Sequence, residues 1–285
     1  MPELPEVEVL VRHLAAVLPG RRVAAVHVRR EKSIRPDSPA ALRRALAGAT
    51  FTGVRRRGKY LVFEWRPAAG HGVRTLVGHL GMTGRMYLQT ASAPLAKHAA
   101  VILDLEANRK ERLVFEDTRY FGRLTLDHGA LAALGPEPLE DGFTPEYLLE
   151  ELRGSRQAIK VKLLDQSLVA GVGNIYASEA LHRAGISPRR RGGGLRADEV
   201  TRLHGAIREV LAEAIRFGST VPLSFEGQGR GDGLFYYGVA ASAAGYEERL
   251  RVYDRAGRPC DVCSTPVRRL VQGGRSTYYC PQCQR

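Results

Sequence analysis

No segment of this 285-residue chain approaches the ~20 consecutive apolar residues that a membrane-crossing helix needs. The first residues also lack the basic, apolar and small-residue order of a secretory leader, so a soluble intracellular protein is expected. No low-complexity tail and no repeat at solenoid spacing interrupt the chain, and a hydrophobic content of 44% is enough for a buried core. Acidic residues are in short supply: 30 against 43 basic ones, a formal net charge of +13. Cysteine is scarcer still, with four in all, and without an export signal metal-holding thiolates are expected rather than disulfides.

What is present gives those absences direction. A basic surplus of this size suits a surface that neutralises phosphates, because released counterions drive binding to polyanions. It is not gathered on one amphipathic helix, which argues against membrane binding. The four cysteines form two CxxC pairs, Cys260 with Cys263 and Cys280 with Cys283, sixteen residues apart. Such pairs can present four thiolates to one Zn²⁺, and four protein ligands leave no open position, so the metal is expected to be structural. A disulfide or redox pair is the alternative; a zinc-dependent hydrolase is excluded, since no water could reach the metal. Arg268, Arg269 and Arg275 fall between the pairs, where a hairpin turning at Gly273-Gly274 could bring them to a nucleic-acid backbone.

The other end of the chain opens Met1-Pro2-Glu3-Leu4-Pro5-Glu6. Removal of Met1 would make Pro2 a free secondary amine. An α-amino group titrates near ~7.7–8.0 against ~10.4 for lysine, so more of it is neutral and nucleophilic at pH 7. Its attack on a sugar aldehyde carbon gives a charged iminium, an electron sink that labilises the neighbouring proton and phosphate. Glu3 beside it could move protons during ring opening. The plainer reading is that Pro-Glu-Leu-Pro only starts a helix.

Leu4, Val7, Leu10, Val11, Leu14, Val17 and Leu18 recur at helical spacing, with Pro5 in the first turn and Pro19-Gly20 as the stop. This helix would hold Pro2 at the tip of a rigid element. Short β-like runs follow: Val23–Val28, Tyr60–Trp65, Thr75–Val77, Val101–Leu105, Leu113–Phe115 and Arg123–Leu126. They predict a β-sandwich or barrel over residues 1–128. Gly129–Thr144 reads as a linker. Helices are expected over Pro145–Leu152, Ala158–Gln166, Asn174–Ala184 and Asp198–Phe217, and Val221–Ala244 reads as a long functional loop.

Several motifs occur in order: MPELPEVE, Arg57-Gly58-Lys59-Tyr60-Leu61, His79-Leu80-Gly81-Met82, Asp117-Thr118-Arg119-Tyr120-Phe121-Gly122, Gly171-Val172-Gly173-Asn174-Ile175-Tyr176-Ala177, and Gly273 through Cys283. Together they strongly resemble the bacterial formamidopyrimidine-DNA glycosylase family, which includes the endonuclease VIII branch. The resemblance covers nearly the whole chain. It implies an α+β protein: an N-terminal β-sandwich with its first helix, a helix-two-turn-helix domain over 145–250 with a lesion-capping loop at 218–250, and a zinc finger over 251–285. It implies a glycosylase and AP lyase of base-excision repair that removes 8-oxoguanine and formamidopyrimidines by β,δ-elimination. Its partner would be double-stranded DNA with damaged bases or abasic sites, and it would work as a monomer at the bacterial nucleoid.

Carried over by position, the resemblance makes Pro2 the Schiff-base nucleophile and Glu3 its acid/base partner. Lys59 would donate a proton during elimination and hold phosphate, and Arg275 would assist the second elimination. Met82, Arg119 and Phe121 match the residues that fill the void left by an extruded base, and their types fit the formamidopyrimidine branch. Asn174, at the turn before a helix, would bind phosphate, with His98, Arg156 and Lys160 as further backbone contacts. The resemblance weakens after Phe217. Where the family usually carries Gly-Gly-Thr-Thr, this chain reads Gly218-Ser219-Thr220-Val221-Pro222 and then a longer insert, which leaves lesion preference open. A member preferring oxidised pyrimidines and a silent zinc-finger DNA binder are the competing readings; intact Pro2, Glu3 and Lys59 argue against the second.

Overall fold

The computed structural model describes residues 2–106, 111–218 and 250–285. Apart from its end residues, the expected lesion-capping loop lies outside the described residues. The chain divides into two compact units, the first running to Ala132 and the second combining Ala133–Phe217 with the C-terminal segment. No helix among the described residues is long and apolar enough to cross a membrane.

The first unit begins with α1 (Leu4–Val17). Leu4, Val7, Leu10 and Leu14 are fully buried, as their spacing requires. Each contributes roughly 1.5–3 kcal/mol through the surface it removes from water. After it come β1 (Arg22–Val28), a short 3-10 turn (Glu31–Ile34), α2 (Pro39–Leu46), β2 (Thr50–Arg57), β3 (Tyr60–Arg66), β4 (Arg74–His79), β5 (Gly84–Thr90) and β6 (Ala99–Glu106). The unit closes with β7 (Glu111–Asp117), β8 (Arg123–Thr125) and the single-turn α3 (Gly129–Ala132). The strands run antiparallel in the order β5-β7-β6-β1-β2-β3-β4-β8. β1 and β2 share one register pair, Arg22 with Thr50, whereas β1 pairs along its length with β6. The sheet therefore folds over at that seam into two four-stranded layers. Phe51, Phe63 and Trp65 from one layer meet Val101, Leu103 and Phe115 from the other, with α1 against the same core. This is the expected β-sandwich.

Two strands have no counterpart among the runs read from the sequence. In β2 the tail Arg55-Arg56-Arg57 hides the alternation, but Arg55 pairs with Glu64 across the strand at 3.0 Å and Arg56 with Glu8 of α1 at 2.8 Å. β5 begins on Gly84, packed so closely on the backbone that a Cβ would stand 2.2 Å from the Leu80 carbonyl. α2 was also illegible by periodicity, although Ser38 caps it through the Ala41 N–H and Pro39 opens it.

The second unit holds α4 (Pro145–Leu152), capped by Thr144, then α5 (Ile159–Lys162), α6 (Asn174–Ala184) and α7 (Ala197–Gly218). The helix expected over Ala158–Gln166 stops at Lys162. Asp165 turns its carboxylate back to the N–H and hydroxyl of Ser167, and Gln166 donates to the Leu164 and Val172 carbonyls. Such side-chain bonds compete with the helical ladder and end it. Gly185, at φ 71°, closes α6 in the left-handed conformation that glycine tolerates. Residues of the expected linker are held by α7: Arg208 donates to the Pro138 and Glu140 carbonyls, and His204 to that of Phe143. The chain ends in a hairpin of β9 (Arg268–Gln272) and β10 (Arg275–Tyr279).

Candidate functional site

In the first unit, Pro2 and Glu3 are buried where α1 begins, and Glu3 is only 2% exposed. Glu6 reaches back one turn and accepts the Glu3 backbone N–H at 2.6 Å, which fixes the tip of the helix. A second tie joins α1 to the β2–β3 turn: Glu8 accepts from Arg56, and Arg56 also donates to the Gly58 carbonyl at 3.3 Å. Burial by itself would raise the Glu8 carboxyl; the hydrogen bonds and charges of Arg56 and Arg12 outweigh it and hold the group below the ordinary carboxylate value. Gly58, at φ 55°, is the first residue of this two-residue turn and Lys59 the second. Lys59 is 6% exposed, so it is not a solvated strand-end charge.

His79, opposite Tyr60 in the β3–β4 register, was not singled out from the sequence although its motif was legible. Its ring lies 4.7 Å from that of Tyr60, and its Nδ1 accepts the Gly81 N–H at 3.2 Å. Burial first, then the charges of Lys59 and Arg123, press its pKa from 6.5 down to about 4. The imidazole is therefore neutral at pH 7. Between those two pH values the unfolded chain binds more protons than the folded one, so stability falls as pH drops from 6.5 toward 4, by up to about 3 kcal/mol. Denaturant unfolding at pH 4.5 and 7.5 tests this. His79→Gln, which keeps an acceptor for Gly81, should lose less stability across the interval than wild type; equal losses would show that this histidine does not set the acid sensitivity.

The three residues assigned to void filling meet at the surface. Met82 and Phe121 are 41% and 47% exposed, unusual for large apolar side chains. The Arg119 guanidinium lies 3.4 Å from Met82 Sδ and 4.8 Å from the centre of the Phe121 ring. The group that organises them, Asp117, was not singled out from the sequence. Fully buried, its carboxylate accepts from the Thr83 hydroxyl at 2.5 Å, the Arg119 N–H at 3.1 Å and the Gly122 N–H at 2.7 Å. It thereby binds the Met82 loop to the Arg119–Phe121 loop. The two loops touch backbone to backbone: at Gly81, φ 63°, a Cβ would stand 2.7 Å from the Gly122 nitrogen. His98 belongs to the same cluster, its Nδ1 3.0 Å from the Tyr120 hydroxyl.

In the second unit, Gly173 rather than Asn174 is the N-cap of α6. The Asn174 side chain instead joins three segments. Its Oδ1 accepts from the fully buried Lys160, and its Nδ2 donates to the Ser276 carbonyl of β10 at 2.9 Å. Arg275 is exposed at the start of β10, after a two-residue turn in which Gly273 and Gly274 have φ 54° and 72°. Arg156 is exposed on the connection before α5. Glu179 of α6, also missed, accepts the N–H groups of Arg251, Val252 and Tyr253 at 2.9, 3.0 and 2.8 Å, clamping the chain that enters the finger.

The sulfurs of Cys260, Cys263, Cys280 and Cys283 all lie within 4.8 Å of one another. Spacings of 3.9 Å between Cys260 and Cys283 and of 3.4 Å from Cys263 to Cys280 and Cys283 are far from disulfide contact. They approach the edge of about 3.8 Å expected for four thiolates around zinc at ~2.3 Å. The donor set therefore fits one closed, structural Zn²⁺, which orders the hairpin and leaves the chemistry to other groups.

Three family descriptions match consecutive stretches of the chain. They are the formamidopyrimidine-DNA glycosylase N-terminal domain over residues 1–124, the formamidopyrimidine-DNA glycosylase H2TH domain over 134–224, and the zinc finger found in FPG and IleRS over 257–285. The chain is 43% identical to the formamidopyrimidine-DNA glycosylase of Symbiobacterium thermophilum, covering 100% of this chain and 89% of that protein. It is 44% identical to that of Thioalkalivibrio sulfidiphilus, covering 100% of both. Among solved structures, the Lactococcus lactis Fpg bound to DNA containing N7-benzyl-Fapy-dG aligns with a TM-score of 0.84 at 32% identity over 100% of both chains. The same enzyme bound to abasic-site DNA aligns with a TM-score of 0.83 at 30% identity over 99% of both.

Proposed function

This chain belongs to the formamidopyrimidine-DNA glycosylase family, and from that premise we propose that it removes oxidised purines from double-stranded DNA and cleaves the resulting abasic site. The observation that carries this reading is the buried tip of α1. Pro2 follows directly on the removable Met1, Glu3 is buried beside it, and Glu8 and Arg56 fasten the same helix to the turn that buries Lys59. Backbone binding alone would need none of these three residues.

In the proposed sequence the Pro2 nitrogen bonds to C1′ of the damaged nucleotide and the C1′–base bond breaks, the base leaving with a proton. Glu3 supplies a proton to the ring oxygen, the sugar opens, and the Pro2–C1′ iminium becomes the electron sink. Loss of a C2′ proton then expels the 3′ phosphate, and a second elimination expels the 5′ phosphate. Lys59 donates a proton and holds phosphate in these steps, and Arg275 assists the second. Met82, Arg119 and Phe121 occupy the gap left by the extruded base. Asn174, Lys160, Arg156 and His98 serve the backbone contacts, directly or by positioning. The same reading has it act on chromosomal DNA, in the cytoplasm at the nucleoid.

Met82→Ala separates base extrusion from backbone binding. Extrusion costs a few kcal/mol, and the void exists only after it. Excision of 8-oxoguanine should therefore fall by about tenfold or more, while a pre-formed abasic site is cleaved nearly normally. The measurement is the ratio of the two rates in wild type and variant. An unchanged ratio would leave this methionine no part in void filling.

A further inference from the structure

α6 fastens the zinc finger through polar side chains. Asn174 holds the Ser276 carbonyl, Glu179 holds the backbone of Arg251–Tyr253, and His182 touches the metal site itself. At about 100° per residue the three lie within about 140° of one another on the helix, so one rigid face serves all of them. His182 is 6% exposed, and its Nε2 stands 3.5 Å from Sγ of Cys260, itself 2% exposed. The other ring nitrogen, Nδ1, is buried and has no hydrogen-bond partner among the described residues. A proton on Nδ1 would bury an unsatisfied N–H while leaving the sulfur facing a lone pair. A proton on Nε2 leaves only an unfilled acceptor, the smaller loss, and aims a donor at the sulfur.

We infer that His182 donates its Nε2–H to the zinc-bound thiolate of Cys260 and is a positioning residue for the metal. The bond withdraws electron density from one sulfur, fixes its rotamer and ties the first knuckle to the helix that carries Asn174. Groups that orient metal ligands from outside typically change metal affinity by about 10- to 100-fold. The inference rests on the zinc assignment but not on the glycosylase chemistry.

The test uses the full-length protein. In 15N-labelled wild type loaded with 113Cd, a scalar coupling should connect the metal to the His182 Nε2–H through the hydrogen bond. Its absence, with one metal bound per chain, would overturn the inference without touching the zinc assignment. His182→Phe should release zinc to a chelator about tenfold faster and shift the thiolate-to-metal charge-transfer band of the cobalt form to lower energy. His182→Gln, whose amide N–H can stand near the position of Nε2, should restore both. Wild-type release and an unmoved band in His182→Phe would refute it. A wild-type chain that retains no metal would sink it together with the zinc site.

Discussion

Borohydride added while the mature protein acts on a duplex bearing an abasic site is expected to leave it covalently attached to the DNA. The crosslinked peptide should begin at Pro2, with Met1 absent. The physical reason is specific: an iminium is reduced to a stable amine, whereas phosphate contacts leave nothing to reduce. The competing nucleophile is a lysine. Lysine titrates near ~10.4, so at pH 7 fewer than about one in a thousand side chains is neutral without strong perturbation, whereas an α-amine near ~8 is neutral about one time in ten, an upper bound for the more basic proline. Holding that amine at the buried tip of α1, fixed by the Glu6–Glu3 bond, removes much of the entropy cost of attack. Trapping should thus be nearly complete in wild type and lost when the N-terminal amine is blocked. A crosslink mapping to Lys59 would take the nucleophile's role from Pro2. No trapping by folded, zinc-loaded protein would support the silent-binder reading.

Cys280→Ser should produce the second large effect. Cys280 is fully buried and its sulfur accepts the Cys283 N–H at 3.4 Å, so it is both a ligand and a centre of the second knuckle. A serine hydroxyl is not ionised at neutral pH and is a poor replacement for a thiolate. Structural zinc contributes about 10–16 kcal/mol of apparent binding free energy in isolated fingers, much of which is folding energy. The small cluster of Val252, Val267 and Tyr278 around these cysteines is too limited to compensate. Zinc content should fall from one per chain toward none, and the β9–β10 hairpin with Arg275 should disorder. DNA affinity should then drop by about tenfold or more, and the slope of log affinity against log salt should fall by about one for each phosphate that the hairpin no longer neutralises. Elemental analysis and a salt titration provide the check. A zinc-free variant with normal affinity and slope would exclude the hairpin from the interface.

The residue types of the candidate site were legible in the sequence, and the packing that holds them in place was not. Helix α1 follows from the spacing of its leucines and valines, because a buried stripe on a helix is a local pattern. β2 was hidden by its arginines, which are acceptable in a strand only because Glu64 and Glu8 face them, one across the sheet and one on a helix 48 residues away. Lys59 presented itself as a surface charge after three arginines, and only folding of the turn against its neighbours buries it.

The sequence by itself determined the two CxxC pairs, the basic surplus and the candidate amine. Thiolate chelation by CxxC pairs, net charge and the reactivity of an N-terminal proline are properties of residue type and short spacing. Tertiary structure alone decided which side chains hold these groups in place. Asp117 joins two loops through Thr83, 34 residues away; Glu179 clamps backbone more than 70 residues on; His182 reaches a sulfur 78 residues distant. These long-range partners have no local signature, although Asp117 also accepts from its own loop at Arg119 and Gly122. A buried carboxylate or imidazole is stabilised by whichever donors and acceptors the fold brings to it, and those partners are fixed by packing rather than by neighbours in the chain.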